Sequence, residues 1–331
     1  MFDSPQRQTR QRRLGGQIRS TGDQPSTADR WMASVTVSEP LSGSDAPSAV
    51  GLVLARPVRL LGLEPFFMEF IAGLEETMAE RDLSILLQVV PEQDAEVETY
   101  RRWAARRSVD AVIVVNLVEG DRRPEVLHEL GMPFLLVGAG NEPGFPAVRT
   151  DHAGAERAAL AYLRELGHLQ IARVSGPAQL LHTQARTVAL IEDCRSVGVE
   201  PILLEGDYSD EAGAALTRRL LALSEPPTAI LYDNDVMAVA GLRAAQDLGL
   251  VVPDQLSLVA WDDSTLCRLA SPALTTMSVD VHEYGVRVAR SVFEVLDGVP
   301  VQERWSPTAR LTPRGTTAPA RLEQMSAPLI P

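Results

Sequence analysis

From Val50 onward, short apolar runs alternate with longer segments whose apolar residues recur every three or four positions. The runs Val50–Ala55, Leu83–Val90, Asp110–Val115 and Pro133–Val137 predict strands. Between them, Phe66–Arg81, Asp94–Arg107 and Arg123–Leu130 predict helices, the first with Phe67, Phe70, Ile71, Leu74 and Met78 at helical spacing. The rhythm then repeats. Helices are expected over Gly154–Leu166, Thr183–Val197, Asp210–Leu223 and Asp235–Leu248, with strands at Ile171–Ser175, Pro201–Leu204, Thr228–Tyr232 and Leu256–Ala260. A helix over Val281–Leu296 and a short strand near Ala309–Leu311 close the pattern. Two successive βαβ arrays predict an α/β fold of two doubly wound parallel-sheet lobes, with helices on both faces of each sheet.

Open α/β sheets bind ligands outside the carboxyl ends of their strands. The polar residues that follow the apolar runs are therefore the first candidates. Asp262 follows one such run, and a carboxylate there can accept charge-assisted bonds from two hydroxyls of a polyol. Equally, Asp262-Asp263-Ser264 is good turn chemistry. Asn234, after the run Thr228–Tyr232, offers a donor and an acceptor, but either it or Asp235 can cap the next helix. Arg56, Asn116 and Glu119 also follow strand ends. Arg186 lies on the first turns of a helix, where an arginine by default faces solvent.

Composition narrows the classes. The 331 residues suffice for two lobes, and 45% hydrophobic with 23% charged is ordinary for a globular protein. The net charge is −13, all 31 basic residues being arginine. Residues 1–30 hold six arginines against Asp3, Asp23 and Asp29, a balance of +3, which leaves −16 on the rest. A body that acidic repels nucleic acid by itself. Residues 1–48, rich in Gln, Arg, Ser, Thr, Pro and Gly, have the composition of a disordered tail. The N-terminus lacks the apolar core of a secretory signal and no run reaches membrane-spanning length, so the cytoplasm is expected. Cys194 and Cys267 read as buried thiols, and the five histidines are scattered without metal spacing. His168 fits a structural role at a helix-to-strand turn. Gly138, Gly140 and Gly144 do not make a dinucleotide fingerprint. No nucleophile elbow is present. Neither an enzyme nor a cofactor is expected.

Several separated motifs carry a family resemblance. Pro227–Thr276, with Asn234-Asp235, Leu242-Arg243-Ala244, Leu248-Gly249-Leu250, Val252-Pro253, Asp262-Asp263 and Pro272-Ala273-Leu274-Thr275-Thr276, resembles the effector-binding core of the LacI/GalR transcription regulators. Val148–Pro177, with its Leu166-Gly167-His168 and Ser175-Gly176-Pro177, is similar to a second family block. Gly51–Leu87 resembles the first strand and the Pro-Phe-Phe helix start. The resemblance spans residues 49–317. It implies a periplasmic-binding-protein-like fold with a ligand cleft between lobes formed by residues 49–149 plus 281–300 and 150–280 plus 306–317, leaving 318–331 as a tail. It further implies effector contacts from Phe66, Phe67, Asn116, Glu119, Arg186, Tyr208, Asn234 and Asp262. On this reading Asp235 caps its helix, Asp263 stays with the turn, Tyr208 stacks on a sugar ring, and one of Phe66 and Phe67 lines the cleft while the other packs in the core. A sugar-like effector, a homodimer and operator DNA are the implied partners. Val279 stands where family sugar binders often carry glutamine, which thins the polar wall. Residues 1–48 do not match the family's helix-turn-helix. Through Arg7, Arg10, Arg12 and Arg13 the expected DNA binding is weak and salt-sensitive. A solute-binding or sensor protein of the same fold is the competing class.

Overall fold

The computed structural model describes residues 48–56, 65–139 and 144–320. The expectations for the N-terminal tail and its arginines, for Gly140 and for most of the C-terminal tail therefore fall outside the described residues.

Two six-stranded sheets form two lobes. The first contains β1 (Ala49–Ala55), β2 (Ser84–Val90), β3 (Ala111–Val114), β4 (Phe134–Ala139) and β5 (Ala147–Arg149), with helices α1 (Pro65–Met78), α2 (Gln93–Arg106) and α3 (Arg123–Glu129) between them. The second contains β6 (Ile171–Ser175), β7 (Ile202–Glu205), β8 (Ala229–Tyr232), β9 (Ser257–Trp261) and β10 (Thr275–Ser278). Its helices are α4 (His152–Glu165), α5 (Leu181–Val197), α6 (Asp210–Leu221), α7 (Asp235–Asp247) and the short α8 (Thr265–Leu269). The chain then crosses back. Helix α9 (Val281–Leu296) packs on α1 in the first lobe, β11 (Arg304–Trp305) pairs with β5, and β12 (Arg310–Thr312) returns to β10 of the second lobe. The strand orders are β11-β5-β4-β3-β1-β2 and β12-β10-β9-β8-β6-β7, parallel apart from β12.

The strands that form the centre of each sheet read as apolar runs because they are covered on both faces. Val50, Leu52 and Leu54 face a core with Phe70, Leu74 and Val288, while Val53, Val112 and Val114 face Tyr100 and Trp103 on the other side. Helices α1 and α9 meet almost backbone to backbone. A Cβ on Gly73 would overlap the carbonyl of His282, and one on Gly285 the carbonyl of Phe70. Three connections join the lobes: β5 to α4, β10 to α9, and β11 to β12. Three short segments of this kind permit a hinge.

Four elements were not anticipated: β5, α8, β10 and β11. Each has five residues or fewer, too few for a periodic signal. Helix α4 begins at His152, two residues earlier than its pattern suggested, because the Asp151 carboxylate caps it by accepting from the Gly154 amide at 2.7 Å.

Candidate functional site

The carboxyl ends of both sheets face one another across a cleft, and the lobes touch at its rim. The Leu181 amide donates to the Leu117 carbonyl at 2.9 Å, and Val118 pairs with Leu180 in an isolated antiparallel bridge. The Arg56 guanidinium, from the end of β1, lies 5.2 Å from the ring centre of Tyr208 in the other lobe and 5.4 Å from that of Phe67 in its own. Between these contacts lies a cavity of about 140 Å³. A cavity of roughly 150 Å³ accommodates a benzene-sized ring, so the space suits one ring of a ligand.

Seven of the eight predicted contacts line this cavity: Phe66, Phe67, Asn116, Arg186, Tyr208, Asn234 and Asp262. Arg56 lines it as well. Glu119 does not. It stands exposed in the turn before Gly120. Both phenylalanines reach the cavity, Phe67 also belonging to the core and Phe66 stacking on Phe70. Three of the lining residues have left-handed backbone: Asn116 at φ 52°, Tyr208 at 70° and Asp262 at 67°. Such conformations cost energy in side-chain-bearing residues and cluster at ligand sites. Asn116 is held there by the buried Arg123, which donates to its carbonyl at 3.0 Å while paired with Glu96 and Asp121.

The capping assignment is reversed. Asn234, not Asp235, caps α7. Its Oδ1 accepts from the Met237 amide at 2.9 Å, and its Nδ2 donates to the Tyr208 carbonyl at 3.0 Å. The extended backbone of Asn234 puts its side chain over the helix end, whereas Asp235 is already the first helical residue. Asn234 therefore also fixes the Tyr208 turn. Asp263, in the connection between β9 and α8, makes a bidentate pair with Arg314, at 2.8 and 2.6 Å.

Arg186 is not on a solvated face. Its guanidinium lies 3.4 Å from the Trp261 ring centre, with Nη1 3.7 Å from Asp233. Asp233 is wholly buried and receives Arg173 through two bonds, of 2.8 and 2.7 Å, and the Gly176 amide at 3.0 Å. Burial alone would push the Asp233 carboxyl up. The guanidinium charges of Arg173 and Arg186 outweigh it and hold the carboxyl at about 2. Glu156 completes the group, 3.8 Å from Arg173 and accepting from the Trp261 indole at 3.0 Å. Two carboxylates and two guanidiniums thus form a buried network under the cavity. A lone Arg173 inside the apolar run of β6 was its signal in the sequence.

The histidines are less scattered than they looked. His152 and His182 both line the cavity, their ring centres 5.5 Å apart. His182 lies one helical turn before Arg186, which gives the two a shared face, and its Nε2 is 2.7 Å from the Tyr208 hydroxyl. Gly176 leaves room for that phenol, since a Cβ there would overlap the Tyr208 ring. Burial, reinforced by the Arg186 charge, lowers the His182 imidazole to about 3 and holds His152 well below its ordinary value. Neither nitrogen of His152 has a hydrogen-bond partner among the described residues. His168, by contrast, is structural: its ring nitrogens lie 2.9 Å from the Thr228 hydroxyl and 3.0 Å from the Ala318 carbonyl. Among the described residues no group of three or more potential ligands could hold a metal ion. No helix there is long and apolar enough to cross a membrane.

Two doubly wound lobes, three crossing segments and a ring-sized cavity between the strand ends define a periplasmic-binding-protein-like domain. Residues 160–317 match the family model described as a periplasmic binding protein-like domain. The chain is 31% identical over 319 residues to the HTH-type transcriptional regulator AglR of Rhizobium meliloti, covering 92% of this chain and 84% of that one. A LacI family transcriptional regulator from Bifidobacterium animalis superposes with a TM-score of 0.75 at 36% identity, over 82% of this chain and 98% of that one. A transcriptional regulator CelR–cellobiose complex superposes with a TM-score of 0.73 at 27% identity, over 82% and 86%. The chain belongs to the LacI family of transcriptional regulators.

Proposed function

We propose that the interlobe cavity is the effector site of this regulator and that a small hydroxylated molecule, a sugar or related polyol, binds there. Closure of the lobes around the effector is then coupled to operator binding by a homodimer acting in the cytoplasm. The observation that carries this reading is the convergence of seven predicted contacts on one cavity between two hinged lobes. The relative CelR has been solved as a complex with cellobiose, which supports a carbohydrate class. Among the described residues the cavity's one hydroxyl–imidazole pair, Tyr208 with His182, joins a phenol pushed up to about 12 to an imidazole lowered to about 3, a mismatch that favours a binding role without catalysis.

Arg186 and Asp262 approach the ligand from the same lobe. Thermal-shift screening of sugars, polyols and nucleosides identifies the binder. Asp262→Ala and Arg186→Ala should each weaken it by about 1.5–3 kcal/mol, because each removes a charge-assisted hydrogen bond to a ligand hydroxyl. Unchanged affinity in both variants refutes the site.

A further inference from the structure

The polar groups around the cavity divide into those already engaged and those still open. Asp233 is bound by Arg173 and Gly176, both ends of the Asn234 amide are used, Tyr208 is paired with His182, and the Tyr284 hydroxyl lies 2.9 Å from Thr150. His152 differs. It sits at the start of α4 with both ring nitrogens unpartnered among the described residues, its Nε2 close to the glycine of β4, Gly138. A buried imidazole with no partner is costly, and a ligand hydroxyl can donate to its bare ring nitrogen or accept from its ring N–H.

The charges on the wall add a second constraint. Two guanidiniums, Arg56 and Arg186, face three carboxylates, Asp233, Asp235 and Asp262. Behind them Arg173 is matched by Glu156. Among the described residues the wall has no surplus positive charge to offset a phosphate or carboxylate on the ligand, and an uncompensated buried anion is expensive.

We propose that His152 is the specificity-determining contact for an uncharged, hydroxyl-bearing ring and that the site excludes phosphorylated and carboxylated analogues of the same ring. This rests on the effector reading above. It goes further by naming the residue that reads the ligand and the charge state it accepts.

The experiment is isothermal titration calorimetry on the full chain with neutral mono- and disaccharides, their 6-phosphates and the matching uronates. The neutral parent should bind, with phosphate and uronate weakened by about a hundredfold or more, since each strands a charge. His152→Ala should lose about ten- to a hundredfold on the neutral binder, and His152→Gln, which keeps a donor and an acceptor, should retain part of it. Because a cavity at His152 could also loosen the fold, a deoxy series on the unaltered protein supplies the second arm. One deoxy analogue should lose the same affinity as His152→Ala, and that variant should no longer distinguish it from the parent. Tighter binding of the phosphate or uronate, a full-affinity His152→Ala, or no neutral binder in the panel overturns the proposal. Where Asp262→Ala and Arg186→Ala still abolish binding of a charged ligand, the effector reading survives and only the present inference fails.

Discussion

Asp233→Asn tests whether the buried network holds the cavity floor in place. The substitution keeps the shape and removes the charge, leaving Arg173 and Arg186 with Glu156 alone. Two routes give the magnitude. A carboxyl held at about 2 against an ordinary 3.8 is worth roughly 2–3 kcal/mol, at about 1.4 kcal/mol per unit. Breaking a buried ion pair by removing one partner costs about 3–5 kcal/mol. The routes overlap near 3 kcal/mol, and that loss is expected in urea unfolding at pH 7. The carboxyl is depressed in the folded state, so its contribution is complete above the unfolded value of 3.8 and fades as pH falls towards about 2. Acid unfolding of Asp233→Asn should therefore lack the steep component that the unaltered protein shows in that window. Arg173→Met should cost a similar amount, and the double variant less than the sum, because it leaves no stranded partner for that bond. Additive losses, or a loss below about 1 kcal/mol in Asp233→Asn, would refute the network as a coupled unit.

The neutral histidines predict a second pH effect. His182 is ordinarily protonated below 6.5 and in the fold only near 3, so the unfolded chain binds the extra proton and stability falls as pH drops through that range. Urea midpoints of His182→Asn between these values should fall less steeply than those of the unaltered protein, and parallel curves would contradict the assignment. Gly285→Val should cost about 1–3 kcal/mol, since its new carbons meet the Phe70 carbonyl and backbone yields little; an unchanged unfolding midpoint would mean that α1 and α9 can separate freely. Sedimentation at micromolar concentration should give a homodimer, with a pure monomer favouring a solute-binding or sensor role.

The long elements were legible because burial on two faces writes a strong pattern. Runs such as Ile171–Ser175 and Val281–Leu296 came out with the bounds the structure gives them. Lining residues at strand ends were legible for the same reason, as a polar residue after an apolar run marks the sheet's open edge. What stayed hidden depends on contacts distant in the chain. Whether Asn234 or Asp235 caps α7 is decided by a backbone angle, and both residues have suitable side chains. His152 and His182 are thirty positions apart and meet only when α4 and α5 converge on one cavity. Arg173 is a charged residue inside an apolar run, and Asp233, sixty residues on, supplies its partner. Each hidden feature is polar and buried, and such groups take their roles from the partners that the fold brings to them. For His152 the fold brings none among the described residues, which is the physical reason to look for that partner in the ligand.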